Sequence, residues 1–194
     1  MTAPRLLIVP GLQDSGRAHW QSWLQGQYRD SLRVRQYDWS TPDLDRWAAR
    51  IGTTLEHAGA GHTWIAVAHS FGCLALARHL MLQPDVAIVA ALFVAPAEPD
   101  KFGVGELLPH QRLAVPSTLV ASDTDPWMSS ASTRRWASRW GSHWFTLGDA
   151  GHVNSESGFG PFPFAKRWVT AMSQQLARAH RPSHESLLER PFAV

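Results

Sequence analysis

One cysteine, Cys73, is all that the 194 residues contain. An internal disulfide and a cysteine-rich metal centre are thereby excluded, and the chain suits a reducing compartment. Long apolar runs are missing too, since none approaches the ~18 residues that a membrane-crossing helix needs. Before polar Gln13 and Asp14 the amino terminus offers only Leu6 to Gly11, too short and too lightly charged for a secretory signal. An excess of one charge is also lacking. The formal net charge is +2 and no run of five Lys or Arg occurs, so no nucleic-acid surface is expected. Charged residues are sparse at 18%, but a hydrophobic content of 44% is ordinary and speaks against disorder. These absences lead to the expectation of a cytoplasmic protein with no membrane segment. One domain is expected over residues 1–180, followed by a tail over 181–194.

Short apolar runs alternate with helical patterns. Strands are predicted at Leu6–Pro10, Val34–Trp39, Trp64–Ala68, Val86–Val94, Pro116–Ala121 and His143–Leu147. Helices are predicted at Arg17–Tyr28, from Thr41-Pro42-Asp43 through the stripe Leu44, Trp47, Ile51 and Leu55, at Phe71–Leu82, at Ser129–Trp140 and at Pro161–Ala179. Such alternation predicts a three-layer α/β sandwich with a mostly parallel sheet of about six strands. Residues Ala97 to Val115, with several Pro and Gly, read as a loop or a minimal cap.

The third strand runs into Ala68-His69-Ser70-Phe71-Gly72, and a helix follows. This pattern resembles the nucleophile elbow of the α/β-hydrolase fold, Gly-x-Ser-x-Gly, with Ala68 in place of the first glycine. Small residues two before and two after the serine let helix and strand pass each other on a strained turn that pushes the hydroxyl out. The plainer alternative for Ser70 is a helix N-cap. A nucleophilic serine needs a base and an orienting acid, in this fold in the order Ser, Asp/Glu, His. The fifth strand leads into Asp123-Thr124-Asp125-Pro126 and the sixth into Gly151-His152. Both lie past carboxyl ends of strands, where sites of open α/β sheets form. Ser70, Asp125 and His152 are the candidate triad, with Asp123 as the competing acid or a loop brace.

Backbone N–H groups of Phe71 and Leu12 are the candidate oxyanion donors, with Gly11 allowing close passage of the first loop. Gln13, His19 and Trp127 are further pocket candidates, and Phe102 and Phe159 are expected to add apolar lining. His69 is expected to support the elbow by packing, and Cys73 to be a small buried side chain.

Taken together, Pro10-Gly11-Leu12-Gln13-Asp14-Ser15, His19-Trp20, the Ser70 pentapeptide with Cys73, Asp123-Thr124-Asp125-Pro126, Gly151-His152-Val153-Asn154 and Ser157-Gly158 resemble the small serine hydrolases related to retinoblastoma-binding protein 9, above all their bacterial branch. The resemblance spans about residues 5 to 170. It implies a compact α/β-hydrolase core without a large lid, with Ser70, Asp125 and His152 as triad and Asn154 in the family block without an assigned role. Pocket-protein binding in that family uses Leu-x-Cys-x-Glu, which Phe71-Gly72-Cys73-Leu74-Ala75 does not match, so no such partner is expected.

The expectation is therefore an esterase-like serine hydrolase acting on a small acyl substrate, an ester, thioester or amide, with no metal or cofactor. The alternative is a catalytically inert hydrolase-fold protein that binds a partner or small ligand.

Overall fold

Six strands form one sheet in the order β2-β1-β3-β4-β5-β6, and every neighbouring pair is parallel. This computed structural model describes residues 3–84 and 87–179. The strands are β1 (Arg5–Val9), β2 (Ser31–Arg33), β3 (Trp64–Ser70), β4 (Ile88–Pro96), β5 (Ser117–Ala121) and β6 (His143–Thr146). The helices are α1 (Trp20–Gln25), α2 (Leu44–His57), α3 (Phe71–Leu82), α4 (Ser130–Trp140) and α5 (Pro163–Ala179). Val86, predicted to open the fourth strand, and the tail 181–194 lie outside the described residues.

The sheet is buried on both faces because its central strands are apolar along most of their length. Leu7 and Val9 of β1 join one core with Trp47 and Ile51 of α2, Leu74 of α3 and Trp140 of α4. Leu6 and Ile8 point the other way, to Trp20 and Leu24 of α1 and Ala165 and Val169 of α5. Three layers result, as the alternation predicts. Among the described residues no helix is long and apolar enough to cross a membrane.

Two elements depart from the sequence reading. The second strand is Ser31–Arg33, not Val34–Trp39. Val34 still donates its N–H to Ile8 at 2.9 Å, but the chain then leaves the sheet edge. It carries Trp39 under the loop after β1, where the Trp39 carbonyl accepts from Gln13 N–H at 3.0 Å and its ring meets Trp47 edge-on. Helix α1 is shorter than Arg17–Tyr28: His19 caps its start by accepting from Gln21 N–H, and Gly26 stops it. The region from Ala97 to Val115 holds two 3-10 turns, Pro99–Phe102 and Gly105–Leu107.

Strand order reverses between β1 and β3, since β2 lies outside β1 and β4 outside β3. A crevice at the carboxyl ends is the usual consequence. Gln21 bridges it from below, donating through Nε2 to Val9 at 3.2 Å and Val67 at 3.0 Å.

Candidate active site

Ser70 ends β3 with φ 54° and ψ −129°, a left-handed conformation that a non-glycine residue adopts only when its surroundings enforce it. The enforcement comes from close packing. A Cβ on Gly72 would run into the Pro10 carbonyl oxygen and lie 2.7 Å from that of Val9, so only glycine lets α3 start this near β1. Ala68, in place of the motif's first glycine, is fully buried and paired with Val9, and its one methyl group fits there.

The Ser70 hydroxyl makes no cap to α3. It lies 2.8 Å from Nε2 of His152 instead. His152 Nδ1 lies 2.9 and 3.0 Å from the two carboxylate oxygens of Asp125. A carboxylate on Nδ1 keeps the ring proton there and leaves Nε2 free to accept from the serine. Asp125 is held by the Trp127 N–H, at 2.8 Å, and its side chain is 2% exposed. Asp123 faces elsewhere, accepting from the Thr146 hydroxyl at 2.8 Å. Thr124 and Ser122 lace the same loop to the one after β6: Thr124 Oγ1 donates to Asp149 at 2.7 Å, and Ser122 Oγ accepts from Ala150 N–H at 3.1 Å.

The loop carrying His152 is gripped from several directions. His152 N–H donates to Ser157 Oγ at 3.0 Å, and Asn154 accepts from both the N–H and hydroxyl of Ser157 at 2.9 Å. Val153 sits at φ 49°, and Trp20 Nε1 donates to its carbonyl at 2.8 Å. His69 Nε2 lies 2.9 Å from the His152 carbonyl and donates to it as a neutral imidazole. Burial holds His69 well below the ordinary histidine range, with neighbouring His152 and His19 acting the same way.

The loop after β1 supplies the opposite wall. Gly11 lies directly beneath Ser70, for a Cβ there would fall 2.7 Å from Ser70 Cβ. Gln13 and Asp14 both have positive φ, and Arg33 fixes the turn through Asp14 and the Ser15 carbonyl at 2.9 Å each. Gln13 N–H is committed to Trp39, which leaves Leu12 as the loop's candidate oxyanion donor. Phe71 opens α3, so its N–H has no intrahelical partner.

A cavity of about 350 Å³ opens over Ser70 and His152. Of the pocket candidates Gln13, His19, Phe102 and Trp127 line it, beside Leu12 and Gly16, but Gly11 and Phe159 do not. Gly11 is covered by the nucleophile itself, and Phe159 turns into the α5 core against Phe162 at 5.1 Å. Asp14, His69, Asn154, Ser155 and Glu156 also line it, and no pocket role was assigned to them from the sequence. His19 is buried, with its pKa pushed down to about 4 by desolvation first and Arg33 second. Its Nδ1 serves as helix cap, while its Nε2 is buried without a partner among the described residues. Cys73 is buried behind the elbow, its Sγ 3.5 Å from the Val94 carbonyl, and burial raises its pKa well above the ordinary value, which makes it a poor second nucleophile. Among the described residues no three His, Cys, Asp or Glu side chains gather as a metal site.

Comparison with known proteins agrees with this architecture. The serine hydrolase family profile matches residues 6–171. A YdeN-like hydrolase from Pectobacterium atrosepticum is 36% identical, superposes with a TM-score of 0.82, and the match covers 89% of this chain and 92% of the other. The ydeN gene product of B. subtilis, 19% identical, gives a TM-score of 0.73 over 88% of this chain and 99% of its own. The esterase RhEst1 from Rhodococcus sp., 14% identical, gives 0.62 over 90% of each chain and shares the fold. None of the curated proteins matches the chain. The sheet, the elbow turn and the family match lead to one conclusion: the chain has the α/β-hydrolase fold and belongs to the serine hydrolase family.

Proposed function

We propose that this hydrolase cleaves an ester, or a thioester or amide, of a small acyl substrate through Ser70, His152 and Asp125. The observation that carries this reading is the 2.8 Å contact between the Ser70 hydroxyl and His152 Nε2, made by a hydroxyl that leaves its own helix uncapped. Ser70 Oγ attacks the carbonyl carbon while its proton passes to Nε2. Asp125 keeps the imidazole oriented and stabilises the imidazolium. The N–H groups of Phe71 and Leu12 receive the carbonyl oxygen as it becomes an oxyanion. As the tetrahedral species collapses, the bond to the leaving group breaks and His152 returns the proton to it. A water activated by His152 then clears the acyl group from Ser70.

Within its family the chain resembles the small hydrolases related to retinoblastoma-binding protein 9. A cytoplasmic setting suits its one buried thiol. The test is labelling by a fluorophosphonate probe of the parent, Ser70→Ala and His152→Ala. Labelling of the parent alone supports the reading. A folded parent that stays unlabelled refutes it, and the inert ligand-binding alternative then takes its place.

A further inference from the structure

We propose that Trp127 binds the leaving-group portion of the substrate, so that esters of aromatic alcohols are preferred over esters of small alkyl alcohols. This inference rests on the serine hydrolase reading of the same site and adds to it a substrate class and a direction. Among the described residues Tyr37, Met81, Leu82, Leu107 and Trp127 are the exposed large hydrophobics, and of these only Trp127 lines the cavity over Ser70. The residue is 44% exposed there, which leaves the indole face open to a bound apolar group.

Its position favours one half of the substrate. In the collapse step the bond between acyl carbon and leaving oxygen breaks, and the proton on His152 Nε2 goes to that oxygen. The oxygen must then come within hydrogen-bond reach of Nε2, about 3 Å. The Trp127 ring centroid is 6.0 Å from that of His152 and the indole lines the same cavity, so a ring one carbon beyond the leaving oxygen has the indole within reach. Phe102, the cavity's other large aromatic, packs on Phe71 at 5.0 Å and stands by the oxyanion donor instead.

The indole is also held in place. The Lys101 ammonium is 5.3 Å from the ring centroid and donates to the Pro126 carbonyl at 2.8 Å. The backbone N–H of Trp127 holds Asp125, and that contact survives any side-chain change other than proline.

The experiment compares kcat/KM for benzyl acetate and ethyl acetate, whose alcohols differ little in acidity, and for ethyl phenylacetate, which moves the ring to the acyl side. The parent is expected to favour benzyl over ethyl acetate by about tenfold or more, the discrimination an apolar subsite usually gives. Trp127→Ala is expected to bring that ratio down by about tenfold and Trp127→Phe by less than about threefold. The ratio of ethyl phenylacetate to ethyl acetate is expected to stay the same in both variants. A benzyl preference that Trp127→Ala leaves untouched overturns the inference, as does a loss that falls on the phenylacetate ratio. Turnover that persists in Ser70→Ala defeats the hydrolase reading instead, so the two failures are distinguishable. A parent that turns over none of the three esters overturns the inference, while fluorophosphonate labelling of the same parent decides the hydrolase reading separately.

Discussion

His69 Nε2 reaches the main-chain carbonyl of His152 across 2.9 Å, so the residue before Ser70 holds the backbone of the candidate base. The two side chains also pack against each other, with ring centroids 4.9 Å apart. Because His69 is kept neutral by burial, it carries one ring proton, and that proton is spent on this contact. Ser70 and His152 are thus positioned by one rigid connection as well as by their own hydrogen bond.

His69→Leu removes the donor while keeping an apolar side chain in the space. Serine and base then lose their common anchor, and a displacement of ~1 Å can cost ~10²-fold in rate. The expected result is a fall in kcat of about 10- to 100-fold with KM little changed. His69→Gln, which can place an amide N–H near the same carbonyl, is expected to recover most of it. Steady-state kinetics check this, and parent-like turnover in His69→Leu would show that the contact positions nothing.

The two aspartates after β5 are expected to separate sharply. Asp125→Asn leaves the packing intact but no longer selects the Nδ1–H tautomer, a change that lowers kcat by ~10⁴ in a triad of this kind. Asp123→Asn disturbs only a partly exposed contact to Thr146 and is expected to change kcat by less than about tenfold. Equal losses from both substitutions would contradict the geometry.

Much of this arrangement was legible in the sequence because it rests on local chemistry. The predicted bounds of α3, Phe71 to Leu82, coincide with those found, since the elbow motif fixes its start and Pro84 bars its continuation. Val34–Trp39 misled because Val34 and Trp39 are drawn inward by a turn that brings Trp39 under Gln13, and composition cannot separate that from a strand. The role of Gln21 was not legible at all. A glutamine inside an amphipathic helix looks solvated, and only the packing of α1 against the ends of β1 and β3 brings it to the carbonyls it satisfies. Phe159 was misplaced for a similar reason: its neighbours in space, Phe162 and the rest of the α5 core, decide which way it faces. Ser70, Asp125 and His152 stand out as candidates in the sequence because each lies at or just past a strand's carboxyl end, whereas the contact from His69 joins residues 83 apart in the chain.

Acid is expected to destabilise the protein through histidines that fold neutral. Burial pushes both His19 and His79 from the ordinary value of 6.5 down to about 4. The unfolded chain takes up these protons near pH 6.5, and the folded chain refuses them until about pH 4. Stability is therefore full above pH 6.5 and falls as the pH drops toward 4, by up to about 1.4 kcal/mol per pH unit for each histidine. His79 lies between α2 and α3, away from the candidate site, and its Nε2 has no partner among the described residues. Relative to the parent, His79→Leu is expected to be more stable at pH 5 than at pH 7.5 by about 2 kcal/mol. Urea unfolding at the two pH values measures this, and an identical difference at both would refute it.

Gly11 and Gly72 both permit close approach at the elbow, but substitution is expected to affect different properties. A methyl group on Gly72 meets the backbone oxygens of Pro10 and Val9, which cannot move without opening the sheet. Gly72→Ala is therefore expected to lower stability by about 1–3 kcal/mol or more, the usual range for overpacking a closed core. A methyl group on Gly11 meets Ser70 Cβ at 2.7 Å and the His69 carbonyl at 3.0 Å. Ser70 is held in a left-handed turn with little freedom to retreat, so Gly11→Ala is expected to push Ser70 Oγ off the line to His152 Nε2. Activity is expected to drop by about 10²-fold, with a smaller loss of stability than in Gly72→Ala. Gly160→Ala is the control, because nothing lies within 4 Å of a Cβ there and the residue is not part of the cavity lining. Thermal unfolding and esterase assays on the three variants separate the effects. A Gly11→Ala protein with parent-like turnover would show that the loop after β1 yields more readily than the packing around Ser70 implies.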